Sequence, residues 1–384
     1  MLKSRLCIAF FAFAVGCAPA QKPLTDYVNP MLGTATLWDS VDLGFKPTKR
    51  TWGAEVFPGS SLPNAMVQVS PVTKFHSGAG YQYEDSVIYG FTHTNKGHWN
   101  LCHIPLLPVT GTPTPGDYCS PFSHERESAA PGYYQVFLDR YGVDAQLSST
   151  LRCAFHKYTY PAGAAASLLA DLQRSNEHVR AWDIRKEGDN VFAGWQQTGE
   201  KMYFYAVANR PVTGIEPVVE GDREVRIVRF GEGDGALELR IGFSFVSEKN
   251  ARENLEAEML GKSFAEVRSE ATATWNDLLG RIRVEGGTER EKGLFYSSLY
   301  RSFLWPALRS DVNGEFTDVD GKVINPGFRY YTGPSYWDDY RNKLILLGML
   351  APDVAADVIS SDTDKGEKRG GFMPTFFHGD HASA

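Results

Sequence analysis

The chain has 384 residues, 42% apolar and 13% aromatic. That is enough to bury a core in two domains of roughly 150 residues each, and it excludes a disordered composition. The net charge is −7, so the basic excess of a nucleic-acid partner is absent and an uncharged substrate is favoured.

The chain opens with export signals. Lys3 and Arg5 precede an apolar run, Leu6 to Val15, that is too short for a permanent membrane span. Two cleavage readings stay open. Ala14-Val15-Gly16-Cys17 resembles a lipobox, which makes Cys17 a lipidated N-terminus. Ala18-Pro19-Ala20 is a small-x-small site that releases a soluble protein at Gln21. Residues 1–20 are therefore expected to be a signal peptide. Either reading places the protein outside a bacterial cytoplasm, in the periplasm or on the outer membrane, with membrane contact only through a lipid anchor. Beyond Cys7 and Cys17, Cys102, Cys119 and Cys153 remain. An odd number makes no disulfide framework. One bridge stays open, but mostly buried thiols are expected.

From Asp26 to about Asn250 the signals are those of strands. Leu237-Glu238-Leu239-Arg240-Ile241-Gly242-Phe243-Ser244-Phe245 alternates apolar and polar, the signature of a strand with one face in a core. Leu151 to Phe155 and Val225 to Ile227 alternate more briefly. Gly and Pro clusters at 113–116, 131–132 and 231–235 mark turns. Many short strands between turns predict an antiparallel sandwich.

The period then changes. Ser263-Phe264-Ala265-Glu266 has the form of a capping box, and Val267, Ala271, Trp275, Leu278 and Leu279 follow at helical spacing. A second helix is predicted from about Glu289 through Phe295, Leu299 and Phe303 to Pro306. A third runs from about Ser335 through Trp337, Tyr340, Leu344 and Leu347. A fourth runs from Pro352 to about Ser361. Gly370 to Ala384 has the character of the middle of a helical domain, and the helices before it are expected to expose unpartnered apolar faces.

Two segments carry the chemistry. Gly97-His98-Trp99-Asn100-Leu101-Cys102-His103 sets an indole beside an imidazole and an amide, a stacking face with donors and acceptors suited to a sugar. The alternative for Trp99 is a core tryptophan. His93, His98 and His103 recur every five residues, which fits neither one helix face nor the usual zinc spacings, so no metal ligand is assigned. In Tyr336-Trp337-Asp338-Asp339-Tyr340-Arg341 the adjacent carboxylates do not face each other on a helix. They either favour a helix N-terminus, with Asp338 pairing to Arg341, or place Asp338 in a cavity where it binds substrate hydroxyls. A phosphate-cradling Gly-rich loop, a Gly-x-Ser-x-Gly elbow and a His-Glu-x-x-His pair are all absent.

Ordered blocks complete the reading. They are Val28-Asn29-Pro30 with Gly33-Thr34, Phe57-Pro58-Gly59, Met66-Val67-Gln68-Val69-Ser70-Pro71, Gly90-Phe91-Thr92-His93-Thr94, Pro131-Gly132-Tyr133-Tyr134-Gln135-Val136 and Trp337-Asp338-Asp339-Tyr340-Arg341. Gly371-Phe372-Met373-Pro374 follows them. Together they resemble glycoside hydrolase family 92, calcium-dependent exo-acting α-mannosidases abundant in gut Bacteroidetes. The resemblance implies an N-terminal antiparallel β-sandwich over 26–250, a helical linker over 251–288, and the incomplete start of an (α/α)6 barrel over 289–384.

It also implies hydrolysis of terminal α-1,2-mannosides of high-mannose N-glycans with inversion. One carboxylic acid then protonates the leaving oxygen while a second activates water, the two lying roughly 6.5–9.5 Å apart. A calcium ion would hold the mannose O2 and O3. The resemblance places His98, Trp99 and Asn100 at the leaving sugar. It places Trp337 and Asp338 at the cleaved mannose, with Arg341 among the substrate-binding residues. The acid, the base and the main calcium ligands are expected beyond residue 384. No catalytic residue or metal ligand is assigned within the chain, and the chain alone is expected to be inactive. The alternatives are a non-catalytic carbohydrate-binding protein, which the helices after Ser263 argue against, and a disaccharide phosphorylase-like enzyme, for which a basic phosphate cluster is missing.

Overall fold

A computed structural model describes residues 22–37, 44–46, 56–96, 99–233, 235–333, 339–371, 377–378 and 381–382. Two large sheets face each other across one core. The first runs, edge to edge, Ser60–Ser61, Gln68–Val72, Gly90–Thr92, Leu106–Val109, Ser167–Ala170, Arg223–Phe230 and Val212–Glu220. The second runs Ala181–Lys186, Val191–Gln197, Lys201–Ala208, Leu237–Ser244, Cys153–Thr159, Val143–Ser149, Tyr133–Leu138 and Glu127–Ala130. Neighbouring strands in both sheets pair antiparallel. The expected antiparallel β-sandwich is therefore present.

The alternating strand Leu237–Ser244 lies near the centre of the second sheet, with Lys201–Ala208 on one side and Cys153–Thr159 on the other. Its Leu237, Leu239, Ile241 and Phe243 are fully buried between the sheets. The other face is also covered, by helix α1 (Glu248–Glu258) and helix α2 (Phe264–Leu279). Tyr133, Cys153, Phe155, Leu255, Met259, Phe264 and Val267 form a second, smaller core there. Gly242 makes the close approach of α1 feasible. A Cβ at that position would lie 2.1 Å from the carbonyl oxygen of Ala251. Gly132 plays a similar part, at φ 78° and with Ala271 of α2 where a side chain would go.

Helix α2 starts where the sequence predicts. Ser263 accepts from the Glu266 amide, and Glu266 accepts in return from the Ser263 amide. Val267, Ala271, Trp275, Leu278 and Leu279 are all buried, and the Trp275 indole donates to the Ser61 carbonyl at 2.7 Å. Helix α3 (Glu289–Ser302) has a second capping box, Thr288 with Glu291. Its buried stripe is Tyr296, Leu299 and Tyr300, while Phe295 is only half-buried. The N-terminal segment ties these helices together. The Thr25 amide donates to Asn276 of α2, the Asn29 amide to Ser297 of α3, and Arg301 of α3 to the Pro30 and Leu32 carbonyls.

Two helices differ from expectation. The predicted helix over Ser335–Leu347 is interrupted, because residues 340–342 are turns and helix α4 spans Lys343–Leu350. Asn342, at φ −149° and ψ −31°, leaves the helical region just before α4. Helix α5 (Pro352–Lys368) runs seven residues past Ser361. Its last turns are polar in sequence, yet Lys365 is buried and donates to the Tyr331 carbonyl at 2.7 Å. A hydrophobic-periodicity argument cannot detect a buried lysine of this kind. Apolar side chains are exposed on these helices, as expected: Ile345, Met349 and Ile359 are each more than half exposed. Among the described residues no helix is long and apolar enough to cross a membrane. Cys102, Cys119 and Cys153 are free thiols, the first and last of them buried.

Candidate functional site

Residues Asn95–Lys96 and Trp99–Asn100 form a β-hairpin, with Asn95 opposite Asn100 and Lys96 opposite Trp99. Gly97 and His98 lie outside the described residues. The hairpin is a two-stranded sheet of its own, and the residues that flank it at its base include buried polar groups.

At that base the His93 amide donates to the His103 carbonyl. Thr94 bonds His103 Nδ1, and Thr198 bonds His103 Nε2, each at 3.0 Å. The Thr198 hydroxyl also donates to Glu177 at 2.6 Å. A hydroxyl has one proton, so the Thr198 oxygen must accept from His103 Nε2–H. In the neutral imidazole Nδ1 then accepts from Thr94. The protons thus run in one direction, from Thr94 through His103 and Thr198 to Glu177.

The neighbouring backbone is strained. Cys102 and Ile104 have φ values of 54° and 53°, a region that costs a non-glycine residue about 1–3 kcal/mol. Side chains hold the strain in place. Gln196 accepts from the Ile104 amide at 2.8 Å and donates to the Leu172 and Arg174 carbonyls. Ser175 donates to the Leu101 carbonyl.

Below the hairpin, His93 and His156 meet Nε2 to Nε2 at 3.0 Å, and His156 Nδ1 lies 2.6 Å from the Tyr158 hydroxyl. Both rings are fully buried. Burial pushes His93 down to about 3, against the raising effect of the His103 and Ile104 carbonyls, and holds His156 well below the usual histidine range. These rings are neutral structural partners, not a proton source at neutral pH.

The second segment approaches from the helical side. After α3 the chain docks on the sandwich. Asn64 donates to the Pro306 carbonyl and Gln68 to the Leu304 carbonyl, and the Leu308 amide donates to the Asn64 carbonyl. The returning stretch 330–332 pairs with it through Leu308 opposite Tyr331, and the Ala307 amide donates to Thr332. Arg309 donates to Glu200 at 2.6 Å, and its guanidinium covers the Phe245 ring at 3.4 Å. Asp311 accepts from Ser244, Asn250 and Asn254. Burial raises its pKa, and these three hydrogen bonds oppose the rise. Arg152 closes the joint, pairing with Glu258 at 2.6 Å and donating to the Ser310 carbonyl.

Residues 330–333 lead directly into Pro334–Asp338, so Trp337 and Asp338 follow a segment fixed to the sandwich. Trp337 and Asp338 themselves lie outside the described residues, as does Cys17. Arg341 is exposed and its Nε donates to the Tyr340 hydroxyl at 3.0 Å. The buried Asp339 pairs with Lys343 at 3.3 Å. Sequence reasoning did not single out Gln196, Thr198, Glu200 or Arg309. The polar run Gln196-Gln197-Thr198 after the apolar stretch Val191–Trp195 is the one sequence signal near them. Among the described residues no group of three or more His, Cys, Asp or Glu side chains could hold a metal ion. The described residues therefore offer no cluster of carboxylates around which a calcium site could form.

The chain thus joins an antiparallel sandwich to a following helical segment through a joint of buried polar contacts. Residues 27–253 match the glycosyl hydrolase family 92 N-terminal domain, and residues 250–383 match the family 92 catalytic domain. The chain belongs to glycosyl hydrolase family 92.

Its structure is similar to that of the family GH92 alpha-mannosidase BT3965 from Bacteroides thetaiotaomicron. The two are 26% identical with a TM-score of 0.82, covering 92% of this chain and 51% of that one. The same mannosidase in complex with mannoimidazole gives the same TM-score. The family GH92 inverting mannosidase BT2199 from B. thetaiotaomicron VPI-5482 is also 26% identical, with a TM-score of 0.79 over 92% of this chain and 50% of that one. An uncharacterized secreted glycosidase of Arthroderma benhamiae is 24% identical, over 75% of this chain and 42% of the relative. The chain therefore spans about half the length of the relatives it matches.

Proposed function

We propose that this protein serves the exo-acting, inverting hydrolysis of terminal α-1,2-linked mannose on high-mannose N-glycans, outside the cytoplasm. The observation that carries the reading is the match, at a TM-score of 0.82 over 92% of this chain, to an alpha-mannosidase also solved with mannoimidazole. Export is supported by the similarity to a secreted glycosidase and by the charged and apolar pattern of residues 1–20, which ends either in lipidation of Cys17 or in cleavage before Gln21.

In this reading the 95–100 hairpin meets the leaving sugar through His98, Trp99 and Asn100. The segment after Thr332 meets the cleaved mannose through Trp337 and Asp338, with Arg341 nearby. An indole offers a flat apolar face to sugar C–H groups, and carboxylate oxygens accept from sugar hydroxyls. The chain's own residues bind and orient the sugar. No proton-transfer step is assigned to them, and calcium is assigned to ligands outside the described residues.

The test is titration of the purified chain with α-1,2-mannobiose, with and without calcium, while free mannose is assayed. Binding without release is the expected result. Calcium-dependent release of mannose by this chain would refute the assignment of proton transfer elsewhere. Absence of mannobiose binding would refute the sugar-binding role.

A further inference from the structure

The base of the hairpin and the 330–333 stretch, which leads to the second sugar-binding segment of this reading, are far apart in sequence, yet both are tied to one turn. From the hairpin side, Gln196 accepts from the Ile104 amide and Thr198 accepts from His103. From the helical side, Arg309 donates to Glu200, and the Arg309 amide donates to the Tyr330 carbonyl. The turn is closed on itself by the Thr198 amide donating to the Glu200 carbonyl at 2.9 Å. Thr94, His103, Gln196, Thr198 and Arg309 are all buried. Two strained residues, Cys102 and Ile104, flank His103 at the place where the hairpin is gripped. Strain of this kind persists only where surrounding contacts over-determine it.

We propose that the Gln196–Glu200 turn is a shared support that sets the register between the base of the hairpin and the 330–333 stretch, with Thr198 as its positioning residue. It thereby sets how well a second sugar unit is recognised. The proposal rests on the mannoside reading above for the identity of the ligand, but not for the mechanical role of the turn. Thr198 touches no substrate in this scheme. It acts by fixing His103, which fixes the strained base of the hairpin. Because Thr198 also sits in the turn that receives Arg309, loosening it must be felt on both sides.

The experiment uses the full chain with Thr198→Val, which removes the hydroxyl at nearly constant volume, and Thr198→Ser, which keeps it. Amide hydrogen exchange is followed in three places: residues 95–101, residues 330–333, and the core strand 237–244. Thr198→Val is expected to speed exchange at least tenfold in the hairpin and at least threefold at 330–333, with the core strand unchanged. Thr198→Ser is expected to restore both to within twofold. A change confined to the hairpin, or one spread equally over the core strand, overturns the shared-support role.

The second readout compares α-1,2-mannobiose with methyl α-mannoside by calorimetry. Thr198→Val is expected to weaken the disaccharide about tenfold and the monosaccharide less than twofold, since only the disaccharide reaches the hairpin. Equal weakening of both overturns the claim about the second sugar. If the unsubstituted chain binds neither sugar, the mannoside reading fails, and the exchange comparison still decides whether the turn is a support.

Discussion

Arg309 and Glu200 are 109 residues apart in sequence and 2.6 Å apart in space, both nearly buried, and their pair joins the helical side of the molecule to the sandwich. Removing one partner of a buried pair leaves the other charge desolvated, which costs about 3–5 kcal/mol. Arg309→Ala and Glu200→Ala should each lower stability by that order. The double substitution should cost clearly less than the sum, because each single substitution removes the same shared interaction. Urea unfolding of the three variants checks this, and strict additivity would argue that the pair is not coupled.

Acid should weaken the sandwich through its buried histidines. His93 and His156 are held below the ordinary histidine range in the folded state, His93 to about 3. In the unfolded chain they take up protons near pH 6.5. The unfolded state therefore binds more protons as the pH falls below about 6.5, for His93 down to about pH 3. Their contribution to stability is complete above that window and is lost as the pH falls through it, at up to about 1.4 kcal/mol per pH unit for each histidine. Denaturation midpoints measured from pH 7.5 down to 4.5 should fall more steeply in this protein than in His156→Gln, once each is referred to its own value at pH 7.5.

Gly242→Ala should be severe although it adds only one methyl group. The new Cβ would sit 2.1 Å from the Ala251 carbonyl oxygen, so α1 must shift as a body away from the strand Leu237–Ser244. Overpacking of this kind typically costs about 1–3 kcal/mol. A melting temperature within a degree of the parent protein would show that α1 is not held against the sheet.

Glu127 is a second buried carboxylate with a demanding set of partners. It accepts from Tyr81 at 3.0 Å, from Tyr134 at 2.6 Å, and meets His124 at 2.6 Å. Glu127→Leu strands two buried phenol hydroxyls, each costing about 1–3 kcal/mol. The Leu variant should be destabilised by several times more than Glu127→Gln, which keeps one acceptor oxygen. Equal effects in chemical denaturation would show that the hydroxyls find other partners.

Trp99→Ala tests the hairpin directly. Loss of an aromatic anchor is worth about 2 kcal/mol at a typical binding hot spot. Mannobiose binding should therefore weaken about thirtyfold, while the unfolding midpoint stays where it was. A drop in stability with unchanged binding would make Trp99 a packing residue.

The amino-acid sequence by itself determined the change from strands to helices near residue 250, the central strand Leu237–Ser244, and the start of α2 at its capping box. Each is set by local periodicity or by a cap that operates over three or four residues. It also determined the family, through short blocks kept in order along the chain. The sequence could not reveal that α4 begins only at Lys343, because turn residues 340–342 carry apolar spacing that mimics a continuous helix. It could not reveal that α5 continues to Lys368, since that stretch is held by a buried lysine bonded to the Tyr331 carbonyl.

The support of the candidate site was decided only by the tertiary structure. His103, the turn that carries Thr198 and Glu200, and Arg309 come from three separate stretches of the chain, and each of these residues is polar with no apolar rhythm to mark it. Hydrophobic patterning reports which face of an element is buried. It carries no information about which buried donor will find which acceptor, because that pairing depends on how the two sheets and the segment after α3 close on one another.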